Sequence, residues 1–156
     1  MKIATFAAGC FWGVELQFSK LPGVVTTAVG YMGGDNTHPT YQDVCRGDTN
    51  HAEVVQLAFN PEVTSYEALL NAFWAVHNPT TLNRQGPDVG TQYRSAIFYH
   101  DDEQKTLAEL SKTQLDNSGA LADKIVTKIV PADTFWPAEE YHQKYLEKRG
   151  MGGCGI

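Results

Sequence analysis

Apolar and polar positions alternate in blocks along the first third of the chain. The apolar run at residues 3–8 predicts a short buried strand. Val14, Phe18 and Leu21 then recur at spacings of four and three, which predicts one apolar face of a helix. The Leu-Pro-Gly sequence at 21–23 predicts the end of that helix.

The same reasoning predicts alternating elements over the rest of the chain. Strands are predicted at 24–34, 51–60, 95–100 and 124–130, and helices at 64–76, 101–117 and 137–149. Thr64 and Glu67 fit a capping box, and Pro137 fits the first turn of the last helix. The segments 35–50 and 78–93 have no period and are expected to be loops.

This order of elements predicts one α+β domain over residues 1–156. Strands and helices alternate, except for one pair of strands near the middle. The pattern favours a two-layer α/β sandwich, in which helices cover a small mixed sheet. The sequence shows no repeat and no linker, and it ends in a long glycine-rich tail.

Charge and hydropathy narrow the class of protein. The formal net charge is −6 and no basic block is present, so we expect no nucleic-acid partner. No apolar run approaches the ~20 residues that span a bilayer. The start of the chain resembles a lipoprotein signal peptide. The apolar run at 3–8 is, however, shorter than the ~7–15 residues of the apolar region in such signals. We therefore expect a cytoplasmic protein that does not bind membranes.

The three cysteines suggest redox or nucleophilic chemistry and argue against a structural role. An odd count without an export signal argues against a disulfide framework. There is no CxxC pair and the five histidines are scattered, so no metal site is expected. We predict that Cys45 is buried and inert. Cys154 lies between glycines, so a mobile tail thiol could form a transient disulfide with a second cysteine.

Cys10 is the first candidate nucleophile. It lies between the first predicted strand and helix, where backbone N–H groups and the helix dipole should lower the thiol pKa below ~8.5. Gly9 would allow another molecule to approach closely. Phe11 and Trp12 could form an apolar wall beside the thiol. The alternatives are that Cys10 is a small buried hydrophobic residue and that both aromatic residues belong to the core.

Glu53 is the candidate acid. In a strand it shares a face with Val55, Leu57 and Phe59. If that face is the core face, burial raises the carboxyl pKa above ~4.3 and keeps a proton available near neutral pH. The alternative is that Glu53 marks an exposed strand end. Tyr41 lies in one predicted loop, and Tyr93 ends the other, which is long enough to suggest function.

These motifs together resemble a known family. GCFWG at 9–13, HAEVV at 51–55 and NPTTLNRQGPDVGTQYRS at 78–95 occur in this order, followed by a cysteine in a glycine-rich tail. This combination is similar to the A-type peptide methionine sulfoxide reductases over nearly the whole chain. The resemblance implies a ferredoxin-like βαββαβ core and reduction of the S epimer of methionine sulfoxide, free or in proteins.

The resemblance also implies roles for individual residues. Cys10 would attack the sulfoxide sulfur, and Glu53 would hydrogen-bond and then protonate its oxygen. Tyr41 and Tyr93 would be supporting donors. Phe11 and Trp12 would hold the terminal methyl group of the substrate. Asp88 would be an acidic residue that helps to hold the substrate.

The resemblance further implies how the site is regenerated. A sulfenic acid on Cys10 would be captured by Cys154 as a disulfide, which thioredoxin would reduce; dithiothreitol would replace thioredoxin in vitro. No bound cofactor is implied, and we expect a monomer. Cys45 is an alternative resolving thiol.

Two other classes of function stay open at this stage. A Cys–His hydrolase or acyl-transferase would pair Cys10 with His142 or His51. A non-catalytic peptide-binding module would use Phe11 and Trp12 alone.

Overall fold

The computed structural model describes residues 1–148, and this part of the chain holds eight strands and five α-helices. The strands are β1 (Lys2–Ala8), β2 (Val24–Met32), β3 (Ala52–Phe59), β4 (Arg84–Gln85), β5 (Asp88–Val89), β6 (Ser95–Tyr99), β7 (Lys128–Pro131) and β8 (Trp136–Pro137). The helices are α1 (Phe11–Ser19), α2 (Tyr41–Cys45), α3 (Tyr66–Val76), α4 (Asp102–Asn117) and α5 (Tyr145–Lys148). Short 3₁₀ turns cover Thr91–Tyr93 and Glu140–His142.

The main sheet has the strand order β7-β6-β1-β3-β2-β8, and β4 and β5 form a separate hairpin. Only β6 and β7 pair in parallel within this sheet, so it is mixed. The four strands β6-β1-β3-β2 are joined in the chain order β1-α1-β2-β3-α3-β6, which is the ferredoxin-like βαββαβ arrangement. The predicted α+β class and core are confirmed.

The core lies between one face of the sheet and the helices. Phe6 of β1 stacks on Phe18 of α1 and on Phe73 of α3, in both cases with ring centroids 5.2 Å apart. Val55 and Leu57 of β3 are fully buried on the same side. Burial of each such side chain contributes about 2 kcal/mol. The helical face predicted from Val14 and Phe18 is therefore the face that holds α1 on the sheet.

Three local predictions are wrong. The N-cap of α3 is Ser65, whose hydroxyl accepts from the Ala68 N–H, and Thr64 lies one residue too early. The segment 35–50 is not entirely irregular, since α2 begins at a capping box formed by Thr40 and Asp43. The predicted last strand begins only at Lys128.

The predicted helix at 137–149 is also wrong. Pro137 lies in β8, opposite Gly30 of β2. The chain then forms the 3₁₀ turn and the four-residue helix α5. The side chain of Gln143 explains the interruption, because its amide pairs with the backbone N–H and C=O of Val29 at 2.9 Å each. Tertiary bonds to the sheet edge thus replace helical ones.

The register of the sheet brings four strand ends together at one end of the sheet. The end of β1 lies beside the starts of β3 and β6, because Phe6 faces Val55 and Ala8 faces Ser95. Met32 at the end of β2 faces Ala52 at the start of β3. The connections that leave this end of the sheet carry nearly all of the candidate residues. The fold therefore brings these residues close together.

Candidate active site

Cys10 lies at the junction of β1 and α1, as predicted. It is the N-cap of α1, its side chain is partly buried, and the backbone N–H groups of Trp12 and Gly13, in the first turn of the helix, favour its ionised form. Gly9 before it has a φ of 98°, a conformation that suits glycine. The sharp turn at Gly9 therefore places the thiol on the first turn of the helix.

The prediction of a lowered Cys10 pKa is wrong. Burial raises it to about 12, helped by the negative charges of Glu53 and Asp88, while the amides of Trp12 and Gly13 lower it. The effect of the helix terminus is present, but desolvation is larger. The thiol is consequently protonated at neutral pH.

Glu53 faces the core side of β3 beside Cys10. Its side chain is 1% exposed, and one carboxyl oxygen, Oε1, accepts from the Phe11 N–H at 3.2 Å. The other oxygen, Oε2, is buried and has no hydrogen-bond partner. Burial raises the Glu53 pKa to about 8; the Phe11 amide lowers it and Asp88 raises it. Glu53 is therefore neutral at pH 7, with one polar atom available to another molecule.

Tyr41 and Tyr93 lie close enough to Glu53 for its charge to affect both phenols. Burial raises the pKa of both phenols, and the charge of Glu53 acts on each of them. Cys10 and Asp88 also raise the pKa of Tyr93, after the larger effects of burial and Glu53. Both hydroxyls remain neutral hydrogen-bond donors at physiological pH.

Asp88 is held near the thiol by the β4–β5 hairpin. Gln85 pairs with Asp88 across the hairpin, and its side-chain amide bonds the backbone of Asn78. A Cβ built on Gly9 would lie 2.7 Å from Cγ of Gln85. The hairpin thus packs directly against the turn that precedes Cys10.

Phe11 and Trp12 form an aromatic cluster with the C-terminal segment. The Trp12 Nε1–H donates to Nδ1 of His142 at 2.9 Å, and Tyr145 stacks on Trp12 with centroids 4.0 Å apart. Phe11 is buried against the rings of Tyr41 and His142. Phe11 is therefore largely core, and Trp12, which is partly exposed, is the side chain open to a ligand.

Sequence reasoning missed the C-terminal part of this site. His142 and Tyr145 orient Trp12, and Glu139 accepts from the Tyr31 hydroxyl and the Tyr41 N–H. The predicted regular helix over 137–149 would point these residues in different directions. The only available signal was the number of aromatic residues between 135 and 145.

Cys45 differs from its prediction. It ends α2 and is exposed, not buried, and the Tyr41 hydroxyl hydrogen-bonds to its sulfur. Partial burial raises its pKa, the Tyr41 bond lowers it, and the charges of Glu53 and Glu139 raise it. Cys45 therefore lies near the site. Cys154 lies outside the described residues.

The two histidines considered for a Cys–His enzyme have other partners. The ring nitrogens of His51 bond the Gly34 N–H and the Asn36 carbonyl, and Nδ1 of His142 accepts from Trp12. Among residues 1–148, no group of three or more His, Cys, Asp or Glu side chains could hold a metal ion. No helix in the described chain is long and apolar enough to cross a membrane.

The family model described as peptide methionine sulfoxide reductase matches residues 2–156. The chain belongs to this family. The peptide methionine sulfoxide reductase MsrA of Methanothermobacter thermautotrophicus is 62% identical over 151 residues, which cover 97% of this chain and 89% of that protein.

Solved structures of family members superimpose on the fold. Mxr1 from Saccharomyces cerevisiae in reduced form has a TM-score of 0.90 at 41% identity, covering 97% of this chain and 87% of that one. Mxr1 in complex with Trx2 has a TM-score of 0.65 at 28% identity, covering 92% and 84%. The protein is an oxidoreductase of this family and carries out thiol-dependent reduction of methionine sulfoxide.

Proposed function

We propose that Cys10 is the nucleophile and Glu53 the acid of this reduction. The observation that carries the proposal is the unpartnered Oε2 of Glu53, on a buried neutral carboxyl group beside a partly buried thiol. A sulfoxide sulfur is a weak electrophile until its oxygen is protonated or strongly hydrogen-bonded. A neutral Glu53 supplies that bond at neutral pH.

The first step transfers one oxygen atom from the substrate to Cys10. Sγ of Cys10 loses its proton, with the amides of Trp12 and Gly13 stabilising the thiolate, and attacks the sulfoxide sulfur. Glu53 protonates the oxygen. The attack forms a bond between Sγ and the substrate sulfur; the S–O bond of the substrate then breaks as the oxygen moves to Sγ, and the Sγ–S bond breaks to release methionine. Methionine sulfoxide is thereby reduced by two electrons and Cys10 becomes a sulfenic acid. The proton that Cys10 lost replaces the one that Glu53 gave to the oxygen.

The remaining residues orient the substrate. Trp12, backed by Phe11, contacts the terminal methyl group. Tyr41 and Tyr93 add hydrogen bonds to the sulfoxide oxygen, and Asp88 holds the substrate from the hairpin side. A sulfoxide sulfur is a stereocentre, so fixing its oxygen and methyl group beside one nucleophile admits one epimer. The resemblance of the motifs to the A-type enzymes assigns this as the S epimer, in proteins and as the free amino acid.

The second half of the cycle regenerates the thiol. Cys154 attacks Sγ of the sulfenic acid, an S–S bond forms, and the oxygen leaves as water. A thioredoxin then reduces the disulfide by two electrons, as the complex of the relative Mxr1 with Trx2 suggests. Five residues separate Lys148 from Cys154 in the sequence, and six steps of fully extended chain span up to about 20 Å. That reach, with Tyr145 stacked on Trp12, supports Cys154 as the resolving thiol.

The test is turnover of the separated S and R epimers of methionine sulfoxide, with dithiothreitol as reductant. The wild-type protein should reduce the S epimer only. Cys10→Ser should show no turnover above background, because a hydroxyl is a far weaker nucleophile than a thiolate. Glu53→Ala should lose about 10²–10⁴-fold in kcat, and Glu53→Gln less, since its amide still donates. Turnover by Cys10→Ser would refute the proposed roles.

A further inference from the structure

Glu15 has a buried carboxyl group that the proposed chemistry does not use. It lies on α1, one turn after Phe11 and Trp12, and it is 2% exposed. Its Oε2 accepts from the Thr27 hydroxyl at 2.8 Å, and its Oε1 accepts from the Lys144 backbone N–H at 2.6 Å. Both carboxyl oxygens thus have partners, one on β2 and one on the C-terminal segment.

Lys144 is the point where the C-terminal segment turns towards α1. Its φ is 54°, an unfavourable conformation for a residue other than glycine. The bond from its N–H to Glu15 stabilises this turn, and Gln143 beside it is tied to Val29. The next residue, Tyr145, is stacked on Trp12. We call residues 143–145 the tail anchor, because the chain beyond it leads to Cys154.

We propose that Glu15 is a positioning residue for the recycling step. It fixes the tail anchor to the helix that carries Cys10, so that the chain leading to Cys154 begins close to the sulfenic acid. The inference rests on the proposed function. A tethered thiol reacts at an effective concentration set by the length of its tether and by where the tether begins. Cys154 follows Tyr145 by nine positions in the sequence, so the tether begins near Cys10 only while Tyr145 stays beside Trp12.

The step concerned is formation of the Cys10–Cys154 disulfide. Sγ of Cys154 attacks Sγ of the Cys10 sulfenic acid, the S–O bond breaks, and the oxygen leaves as water with one proton from each group. The earlier transfer of oxygen from methionine sulfoxide to Cys10 does not need the tail. Trp12 keeps its hydrogen bond to His142 when the Glu15 bonds are lost. At saturating substrate, loss of the Glu15 bonds should therefore slow disulfide formation and leave methionine release nearly unchanged.

The experiment mixes reduced enzyme with a saturating amount of methionine sulfoxide and stops the reaction at increasing times with an alkylating reagent. Released methionine reports the first step, and mass spectrometry of the linked peptides reports the disulfide. In Glu15→Ala, methionine release should stay within about threefold of wild type, and disulfide formation should slow at least about tenfold. Glu15→Gln, which keeps a carbonyl acceptor for Lys144, should recover most of that rate.

Two further variants complete the design. Gln143→Ala loosens the same anchor from β2 without touching Glu15, and it should show the same selective loss, which keeps the test valid if Glu15→Ala does not fold. Glu140→Ala removes an exposed carboxylate from the same segment and should behave as wild type. The inference is wrong if disulfide formation is unchanged in Glu15→Ala and Gln143→Ala, or if methionine release slows equally. If the wild-type protein releases no methionine, the proposed function itself fails.

Discussion

Glu53 and Cys10 are two acidic groups that the fold keeps protonated at neutral pH. Burial is the main cause for both, and it raises the pKa to about 8 for Glu53 and about 12 for Cys10. Since Glu53 is neutral at pH 7, its charge opposes ionisation of the thiol only at higher pH. The resting site therefore avoids a buried charge, whose desolvation would destabilise the folded protein.

This arrangement predicts how stability depends on pH. Between pH 4.5, the reference value for glutamate, and about 8, the folded protein holds a proton on Glu53 that the unfolded chain releases. The contribution of Glu53 to the free energy of unfolding is fully present below that interval. It is lost as pH rises through the interval, by up to about 1.4 kcal/mol per pH unit. Glu53→Gln, which cannot ionise, should gain stability relative to wild type as pH rises.

The measurement is urea unfolding of both proteins at pH 5, 7 and 9 under reducing conditions. The difference in free energy of unfolding between variant and wild type isolates Glu53, because other groups titrate equally in both. Glu62→Gln, the same substitution at an exposed position, is the matched control. A constant difference for Glu53→Gln would mean that the carboxyl is solvated in the folded state.

The orientation of Glu53 could be predicted from the sequence, whereas the acidity of Cys10 could not. Period-two alternation places Glu53 on the face of Val55, and this inference needs only local geometry. The Cys10 pKa depends on how deeply distant segments bury the sulfur, including the hairpin that carries Asp88. Those contacts join residues nearly eighty positions apart, and no local pattern encodes them.

At the scale of elements, the β4–β5 hairpin depends on the absence of a side chain at Gly9. Gly9→Ala would place a methyl group against Gln85 and force a left-handed φ on alanine, which costs about 1–2 kcal/mol. The hairpin must then shift, and Asp88 moves with it. We expect kcat/KM to fall at least about tenfold, because small displacements of positioning groups are costly.

Gly119→Ala is the matched control for this substitution. Gly119 also has a positive φ, 77°, but a Cβ there would meet nothing within 4 Å. It should lose stability by a similar backbone effect and keep full activity. Urea unfolding and steady-state kinetics on both variants separate backbone strain from displacement of the hairpin. Equal activity in the two variants would show that the hairpin tolerates the added methyl group.

The elements themselves were predictable to different degrees. The strands of the ferredoxin-like core have apolar runs long enough to be recognised, as does α1 with Val14 and Phe18. The C-terminal segment was mistaken for a helix because Pro137 is compatible with a first turn. Its real conformation is determined by Gln143 and Glu15, whose partners lie on β2 and in the turn itself. Such bonds between distant segments override local preference.

At the scale of the whole molecule, the proposed reaction cycle requires Cys154 to reach Cys10. Cys154→Ser should release about one methionine per enzyme and then stall with thioredoxin as the only reductant, because oxygen transfer to Cys10 does not need the tail. Dithiothreitol, which is small enough to reach Cys10, should restore part of the turnover. Methionine release per enzyme, followed with each reductant in turn, measures this difference.

Cys45→Ser is the matched control, since it also removes one thiol. It should cycle with thioredoxin as wild type does, although Cys45 is exposed and bonded to Tyr41 near the site. Sustained cycling of Cys154→Ser with thioredoxin, together with failure of Cys45→Ser, would transfer the resolving role to Cys45.

The bonds that Gln143 makes to Val29 also affect how the molecule meets other chains. The outer edge of a β-strand has free N–H and C=O groups that can recruit a foreign strand and begin aggregation. A side-chain amide has the same donor and acceptor as a peptide bond. Gln143 therefore occupies the edge of β2 at Val29, next to Gly30 and Tyr31, which pair with β8. Lys144 reaches the next carbonyl, at Thr27. A reductase of methionine sulfoxide in peptides thereby offers its substrates no free strand to pair with at this edge of β2.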